Sequence, residues 1–248
     1  MPLIKTPGEI EKMKKAGHEL FRVMEGLEEK VVPGISTLEL NDLIEERIRS
    51  IPATPAFLGY NGFPAAACIS LNEEVVHGIP DKKRIIAEGD LVKIDVGLIL
   101  EEVYADMARS YVAGTDNGKK QALIEAAKAS CERAGELSSD GAKLGTLGSE
   151  IQQIAESRGF SVVRDYVGHG IGEHLHEDPQ VPNYGIRDTG FALKEGMVIC
   201  IEPMVNAGGF AVSTRADGWT VETKDKSLSA HWENMYLVGK DRGIRINI

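Results

Sequence analysis

The sequence predicts an α+β fold in which two related halves form one domain. Two capping-box sequences, each followed by apolar residues at helical spacing, predict amphipathic helices near the start of the chain. A series of β-rich stretches bounded by turn residues follows them. A third observation is a repeat with one constant offset, which relates a helix start and a strand start to counterparts further along the chain.

The helices are predicted from the residues that begin them. Thr6 is the expected N-cap of the first helix, Glu9 completes its capping box, and apolar residues recur at helical spacing as far as Leu27. Ser36 and Glu39 repeat the capping pattern for a second helix, whose apolar residues share one face. Two further helices are expected at about 117–135 and 146–158, the second closed by Gly159.

The strands are predicted from short β-rich stretches between turn residues. No stretch between them has the composition of an interdomain linker, so a single domain is expected over residues 1–248. The predicted strands are 66–71, 90–99, 103–112, 160–167, 197–205, 210–214, 219–223 and 231–239.

An internal repeat supports the prediction of two halves. The residues Gly34, Leu40 and Ile44 recur 107 positions further on as Gly141, Leu147 and Ile151. Residues 88–92 match 195–199 at the same offset. Chance matches among common apolar residues are the alternative explanation. Under a duplication, Asp95 corresponds to Glu202, and the halves cover roughly 1–115 and 116–248.

Composition narrows the class of protein. The 248 residues are 42% apolar and 27% charged, which is an ordinary globular balance. No apolar run has the length of a signal peptide core or a membrane span, so a cytoplasmic protein without a membrane partner is expected. The net charge of −10 argues against a specific nucleic-acid partner. The three cysteines lack CxxC spacing and are expected to be reduced thiols.

Two aspartates in apolar stretches give the first chemical signal. A charged residue inside an apolar strand is costly unless it is paired or bound to a cation. If the strands 90–99 and 103–112 form a hairpin that turns at Leu100-Glu101, Asp95 lies directly opposite Asp106. Two like charges at such a short distance destabilise each other, so this arrangement requires a cation between them. The alternative is one aspartate at a strand edge and one capping a loop, and Leu100-Glu101 lacks turn-forming residues.

Three further residues extend this pattern. His169 stands between Gly168 and Gly170, which would let the backbone approach a ligand or a metal closely, although a lone histidine is more often a structural hydrogen-bonding group. Glu202 is at the end of an apolar strand, and Glu233 precedes another. Four carboxylates and one imidazole suit two divalent ions such as Mn, Co, Fe(II) or Zn. Two such ions about 3.5–4 Å apart bridge and deprotonate a water and polarise a carbonyl, so hydrolysis is predicted.

The order and context of these residues resemble the type I methionine aminopeptidases, which belong to the pita-bread metallopeptidases. The resemblance covers nearly the whole chain. There is no large insertion between His169 and Glu202, and this favours type I over type II. The motifs that carry it are Cys68-Ile69-Ser70-Leu71-Asn72-Glu73, Val76-His77-Gly78-Ile79-Pro80, Lys93-Ile94-Asp95-Val96-Gly97, Gly168-His169-Gly170-Ile171-Gly172, His176-Glu177-Asp178-Pro179-Gln180-Val181-Pro182, Ile201-Glu202-Pro203 and Trp219-Thr220-Val221.

The resemblance implies a fold, an activity and partners. The family fold has two pseudo-symmetric α+β halves around a curved antiparallel sheet. The family removes the initiator methionine from nascent proteins when the second residue is small, with a metal-bridged water. The substrates are then nascent polypeptide N-termini at the ribosome, and the enzyme is expected to be a monomer. Since this chain begins Met1-Pro2, and proline counts as small, it would be a substrate of its own activity.

The resemblance also implies the site residues. Two divalent ions would be held by Asp95, Asp106, His169, Glu202 and Glu233. Among these, Asp106 and Glu233 would bridge both ions, Asp95 would complete one, and His169 with Glu202 the other. The catalytic residues would be His77, which contacts the substrate amide, His176, which contacts the carbonyl oxygen, and Glu202 as the general base.

The family pocket for the methionine side chain maps onto seven positions of this sequence. They are Tyr60, Phe63, Cys68, His77, Leu175, His176 and Trp219. Three positions depart from the pattern of bacterial members. Phe57 is found where a cysteine is common, Asn61 where a histidine is common, and Leu175 where an aromatic residue is common. None is an implied metal ligand, so the departures bear on pocket shape and inhibitor sensitivity.

Two other readings compete with this one. A proline-specific aminopeptidase or dipeptidase of the same fold would carry the same five ligands, but such enzymes usually have an extra N-terminal domain. A binding protein that has lost catalysis would be expected to lose ligands and gain basic surface. All five ligands and both catalytic histidines are present here, and the net charge is −10.

Overall fold

The computed structural model describes residues 3–116 and 118–248, so the Met1-Pro2 start lies outside the described residues. Within them, the helices are α1 (Pro7–Met24), α2 (Thr37–Arg49), α3 (Lys119–Leu137) and α4 (Leu144–Ser157). The strands are β1 (Thr54–Pro55), β2 (Ala67–Leu71), β3 (Glu74–Val76), β4 (Leu91–Leu100), β5 (Val103–Val112), β6 (Ser161–Val162), β7 (Gly168–Gly170), β8 (Glu177–Val181), β9 (Val198–Ile201), β10 (Met204–Asn206), β11 (Val212–Thr214), β12 (Val221–Thr223), β13 (Ser229–His231), β14 (Asn234–Leu237) and β15 (Ile244–Arg245). None of these helices is long and apolar enough to cross a membrane.

The capping signals in the sequence locate the first two helices correctly. The Thr6 hydroxyl accepts from the backbone N–H of Glu9, and the Glu9 carboxylate accepts from the backbone N–H of Thr6. Ser36 and Glu39 form the same reciprocal pair at the start of α2. Helix α1 ends three residues earlier than predicted, because Glu25 takes an extended backbone conformation (ψ 132°) and Gly26 after it a left-handed one.

The other two helices are also close to their predicted bounds. Helix α3 follows Gly118, and α4 begins at Leu144 rather than at 146. Gly159 has a φ of +83° directly after the cap residue Arg158, so the prediction that it closes α4 is confirmed. The starts of α2 and α4, and those of β4 and β9, are each 107 positions apart. The division of the chain into two halves agrees with this spacing and stays a prediction.

The long central strands match their predictions, and several others are shorter. The strand 103–112 is confirmed, and 66–71 and 90–99 are correct to within one residue. Of the stretch 160–167, only β6 is a strand. The stretch 197–205 divides into β9 and β10 at Glu202-Pro203, and 231–239 divides around Trp232-Glu233. The ladders therefore break at the two predicted glutamates.

The turn of the β4–β5 hairpin was predicted one residue too early. Glu101 and Glu102 both have positive φ (51° and 70°), which forms the two-residue turn and pairs Leu100 with Val103. Asp95 consequently lies opposite Ala108, and Asp106 lies opposite Gly97. The direct Asp95–Asp106 opposition was wrong. The two aspartates are diagonal neighbours on the same face of the sheet, roughly 7–8 Å apart between their Cα atoms.

Two antiparallel sheets meet beside this hairpin. The first contains β1, β4, β2 and β5, and the second has the order β15-β14-β9-β7-β8. The edge of β5 faces the start of β14, where the backbone N–H of Glu233 donates to the carbonyl of Ala108 (3.0 Å). The side-chain amide of Asn247 donates to the carbonyl of Asp106 (3.2 Å). Asp106 and Glu233 are thereby brought together where the two sheets join.

Candidate metal centre and substrate cavity

A cavity of about 210 Å³ opens at the junction of the two sheets. It is lined by every residue that the resemblance implies for the metal site, catalysis and the methionine pocket. The lining residues are Phe57, Tyr60, Asn61, Phe63, Cys68, His77, Asp95, Asp106, His169, Leu175, His176, Glu202, Trp219 and Glu233. The structure therefore brings all predicted site residues together. Their chemical roles stay predictions.

Strand geometry explains how the four carboxylates converge. Asp95 and Asp106 share a face of the β4–β5 hairpin. In the second sheet, the last pair of the β9–β14 ladder is Ile201 opposite Asn234. Glu202 and Glu233 are the next residues on each strand, so they face each other where the ladder ends. Each sheet contributes two carboxylates to one space.

His169 is oriented by a backbone hydrogen bond. Its Nδ1–H donates to the carbonyl oxygen of Gly170 (2.9 Å), because a carbonyl can only accept. The lone pair of Nε2 is then directed into the cavity. Nε2 lies 3.5 Å from Oε1 of Glu202 and 3.8 Å from Oδ2 of Asp106. Three acceptor atoms converge without a proton donor between them, and this arrangement suits a cation.

The glycines beside His169 are packed tightly between neighbouring strands. They were predicted to allow close approach to a ligand or metal. A Cβ atom at Gly168 would lie 2.3 Å from the carbonyl oxygen of Cys200, and one at Gly170 would lie 2.1 Å from that of Asp178. The close neighbours are thus the backbones of β9 and β8. The glycines allow β7 to fit between these strands and so fix the position of His169.

The electrostatics of the four carboxylates indicate a bound cation. Asp106 and Glu233 are buried, and Oδ1 of Asp95 and Oε1 of Glu233 have no hydrogen-bond partner among the described residues. Burial raises the pKa of Asp95 to about 6. Burial and the neighbouring carboxylates raise the pKa of Asp106 and of Glu233 well above the ordinary value, and burial and Asp95 do the same for Glu202. A divalent ion would both satisfy these atoms and neutralise the repulsion.

Cys200 is a member of this cluster that the sequence reasoning missed. Ligand atoms of Asp106, His169, Cys200 and Glu233 all lie within 4.8 Å of one another. Burial and the nearby carboxylates raise the pKa of the Cys200 thiol, so the group is neutral. Its position two residues before Glu202 on β9 was the available signal, because residues i and i+2 of a strand share a face.

His231 was also missed. Its ring is buried, its Nε2 lies 3.5 Å from Oε2 of Glu202, and neither ring nitrogen has a hydrogen-bond partner among the described residues. Burial lowers the pKa of His231 to about 4, so the ring is neutral. Glu202 thus lies between two imidazoles, since His169 faces its other oxygen.

The opposite wall of the cavity is aromatic and begins at His77. His77 follows β3 with a φ of +59°, an uncommon conformation for a residue other than glycine. The ring of Trp219 packs edge-on against Phe63, with 5.1 Å between the ring centroids, and its centroid lies 6.4 Å from that of His77. Burial lowers the pKa of His77 to about 4, so this imidazole is neutral as well.

His176 is held by a tyrosine. The hydroxyl of Tyr60 is 2.8 Å from Nδ1 of His176, and the imidazole stacks edge-on to His169 with 4.4 Å between the centroids. Burial lowers the pKa of His176. The three unusual residues Phe57, Asn61 and Leu175 line the same cavity.

Comparison with known proteins assigns the family. The sequence model of Metallopeptidase family M24 matches residues 11–240. The chain belongs to metallopeptidase family M24. As an M24 metallopeptidase it uses divalent metal, and the cluster at the sheet junction is the place in the described residues where such an ion fits.

The most similar M24 relatives include methionine aminopeptidases. One from Clostridium acetobutylicum is 45% identical over 96% of this chain and 95% of its own. The crystal structure of a methionine aminopeptidase from Thermotoga maritima has a TM-score of 0.96 and 42% identity, with 98% of each chain covered. A prolidase from Pyrococcus furiosus has a TM-score of 0.80 and 26% identity, and this chain spans 65% of it. These matches confirm the predicted resemblance and the α+β pita-bread fold.

Replacing Glu233 with glutamine tests the repulsion among the carboxylates in metal-free protein. A carboxyl whose pKa is raised in the folded state contributes stability when protonated and loses it as the pH rises through that pKa. Glutamine does not titrate, so the free energy of unfolding of Glu233→Gln should exceed that of wild type by an amount that grows above about pH 4.5. Each unit of pKa shift corresponds to about 1.4 kcal/mol. Denaturant unfolding with a chelator at several pH values measures the difference.

The order of stability should reverse when metal is added. Wild type should be the more stable protein with saturating Mn²⁺, since the variant loses a metal ligand and should bind less metal by elemental analysis. The exposed Glu46→Gln change on α2 is the control and should show no pH-dependent difference. A stability difference independent of pH would contradict the inferred repulsion.

Proposed function

We propose that this chain is a methionine aminopeptidase that removes the initiator methionine from nascent proteins. The observation that carries the proposal is a single cavity with carboxylates and His169 on one side and an apolar aromatic wall on the other. The first side fits metal-dependent hydrolysis, and the second fits an uncharged side chain. The methionine aminopeptidases among its relatives match this chain over nearly its whole length.

Two divalent ions fit the donor set. Asp106 and Glu233, at the centre of the cluster, would be shared by both ions; Asp95 would bind one, and His169 and Glu202 the other. Mn, Co, Fe(II) and Zn all accept carboxylate and imidazole ligands, and availability decides among them. When bound, such ions supply an activated water and polarise the scissile carbonyl.

Glu202 is suited to move the proton. Its carboxylate takes a proton from water as the new bond to the carbonyl carbon forms, and donates it to the departing amine nitrogen as the peptide bond breaks. His231 and His169 face its two oxygen atoms and restrict its orientation.

His176 is suited to stabilise charge on the substrate oxygen. When the Tyr60 hydroxyl donates to Nδ1, the proton of the neutral imidazole is on Nε2. Nε2–H is then free to donate to the carbonyl oxygen, where negative charge develops during attack. His77, on the opposite wall, would contact the substrate amide.

The apolar wall explains a preference for methionine. Phe63 and Trp219 provide aromatic faces for the thioether, and Cys68 and Leu175 complete an uncharged lining. The side chain of the second residue must fit beside the metals and His77, so it must be small. We further propose that the enzyme acts as a monomer in the cytoplasm on nascent chains at the ribosome. Its three buried free thiols and acidic charge are compatible with this setting.

A set of short peptides tests the activity. With Mn²⁺ or Co²⁺ added, the protein should release methionine from Met-Ala-Ser and leave Met-Trp-Ser largely intact. Norleucine-Ala-Ser should be cleaved within about tenfold of the methionine peptide, since thioether–aromatic contacts contribute only about 0.3–1.5 kcal/mol. Lys-Ala-Ser should not be cleaved. Rapid cleavage of Ala-Pro without cleavage of Met-Ala-Ser would instead identify a proline-specific enzyme.

The His176→Ala variant tests the oxyanion role. Loss of one positioned donor should lower kcat by about 100- to 1000-fold, with metal content unchanged by elemental analysis. The matched control is His174→Ala, an exposed histidine two residues away that does not line the cavity. It should retain kcat within about twofold, in the range of ordinary surface changes. Loss of an equivalent of metal from His176→Ala would make His176 a ligand and overturn its assigned role.

A further inference from the structure

The aromatic wall of the cavity is carried by the loop of a short hairpin. Thr214, the last residue of β11, pairs with Val221, the first residue of β12. Residues 215–220 therefore form the hairpin loop, and this loop carries Trp219. The backbone N–H of Arg215 donates to the carbonyl of Thr220 (2.8 Å). The Asp217 carboxylate accepts from the backbone N–H groups of Trp219 and Thr220, both at 2.9 Å. The loop has a defined internal shape.

Arg215 joins this loop to three carboxylates. Its Nε lies 2.5 Å from Glu222, its Nη1 lies 2.5 Å from Glu74, and its Nη2 lies 2.9 Å from Glu73. Glu222 is on the hairpin itself, whereas Glu73 and Glu74 are at the start of β3, the strand that ends directly before His77. The guanidinium therefore connects the loop that carries Trp219 to the strand that positions His77.

The carboxylate at the centre of this cluster is itself fixed. Glu74 is buried, and its Oε2 accepts from the backbone N–H of Leu71 (2.7 Å) and from Arg84. Arg84 also donates to the carbonyls of Ile69 (3.2 Å) and Ile79 (2.6 Å). An isolated exposed ion pair contributes little, but a planar guanidinium bound to several fixed carboxylates defines a geometry.

We propose that Arg215 is a positioning residue that fixes the Trp219 wall of the pocket for the first substrate residue and so sets its selectivity. The inference rests on the proposed function. Arg215 does not line the cavity and acts through Trp219, whose ring contacts Phe63 and faces His77. Without the guanidinium, Glu73, Glu74 and Glu222 would repel one another, and the loop would move away from β3.

The Arg215→Met variant tests this role with three readouts. KM for Met-Ala-Ser should rise roughly five- to tenfold with kcat unchanged within about twofold, the pattern of binding lost equally in ground and transition states. The preference for methionine over phenylalanine at the first position should decrease. Trp219 emission, obtained by subtracting matched Trp219→Phe spectra, should be quenched more strongly by acrylamide. Arg215→Lys keeps the charge without the planar fork and should give intermediate values.

The matched control is Lys226→Met. Lys226 pairs with the same Glu222 but follows β12 by three residues, on the side away from the Trp219 loop. This variant should leave KM, selectivity and quenching unchanged. The proposal is overturned if folded Arg215→Met keeps wild-type values for all three, or if Lys226→Met changes them equally. If Arg215→Met does not fold, Arg215→Lys is judged on the same readouts. Wild type that fails to cleave Met-Ala-Ser would refute the proposed function alone, since quenching still reports the position of Trp219.

Discussion

Repulsion among four carboxylates at one sheet junction is the constraint around which this molecule is organised. Each sheet contributes one pair of acids, and the junction of the sheets encloses both pairs. Arg109 helps to hold the junction together, because its guanidinium donates to the carbonyls of Ala108 (2.7 Å) and Glu233 (2.6 Å). These hydrogen bonds connect the backbones of β5 and of the residue before β14, and they leave the carboxylate oxygens free for a cation.

The parts of the fold that local chemistry controls were predictable from the sequence. The capping boxes at Thr6 and Ser36 located two helices because the side chain and the backbone bond within four residues. The hairpin turn was misplaced because Glu101 and Glu102 take left-handed conformations that glycine or asparagine usually adopts. That conformation depends on the pairing of two ten-residue strands, which local sequence does not reveal.

The candidate site also has residues that could be predicted from the sequence and residues that could not. Asp95 and Asp106 stood out because a charge in an apolar strand is costly, and the family motifs supplied the pocket residues. Cys200 and His231 were missed because a buried cysteine or histidine is ordinary in a core, and the only signal was the position of Cys200 two residues before Glu202. Their importance comes from neighbours that are distant in the chain. The breaks in the strands at Glu202 and Glu233 were missed although Pro203 and Asn234 follow the two glutamates, because further β-rich residues continue beyond them.

The strand that carries His169 has a consequence for how this protein can vary. The nearest neighbours of Gly168 and Gly170 are backbone carbonyls, so a change of side-chain rotamer cannot make room for a methyl group. The spacing of β8, β7 and β9 therefore depends on glycine at these two positions. The position of His169 therefore depends on two residues that have no side chain, and a substitution at either would displace it without removing any reactive group.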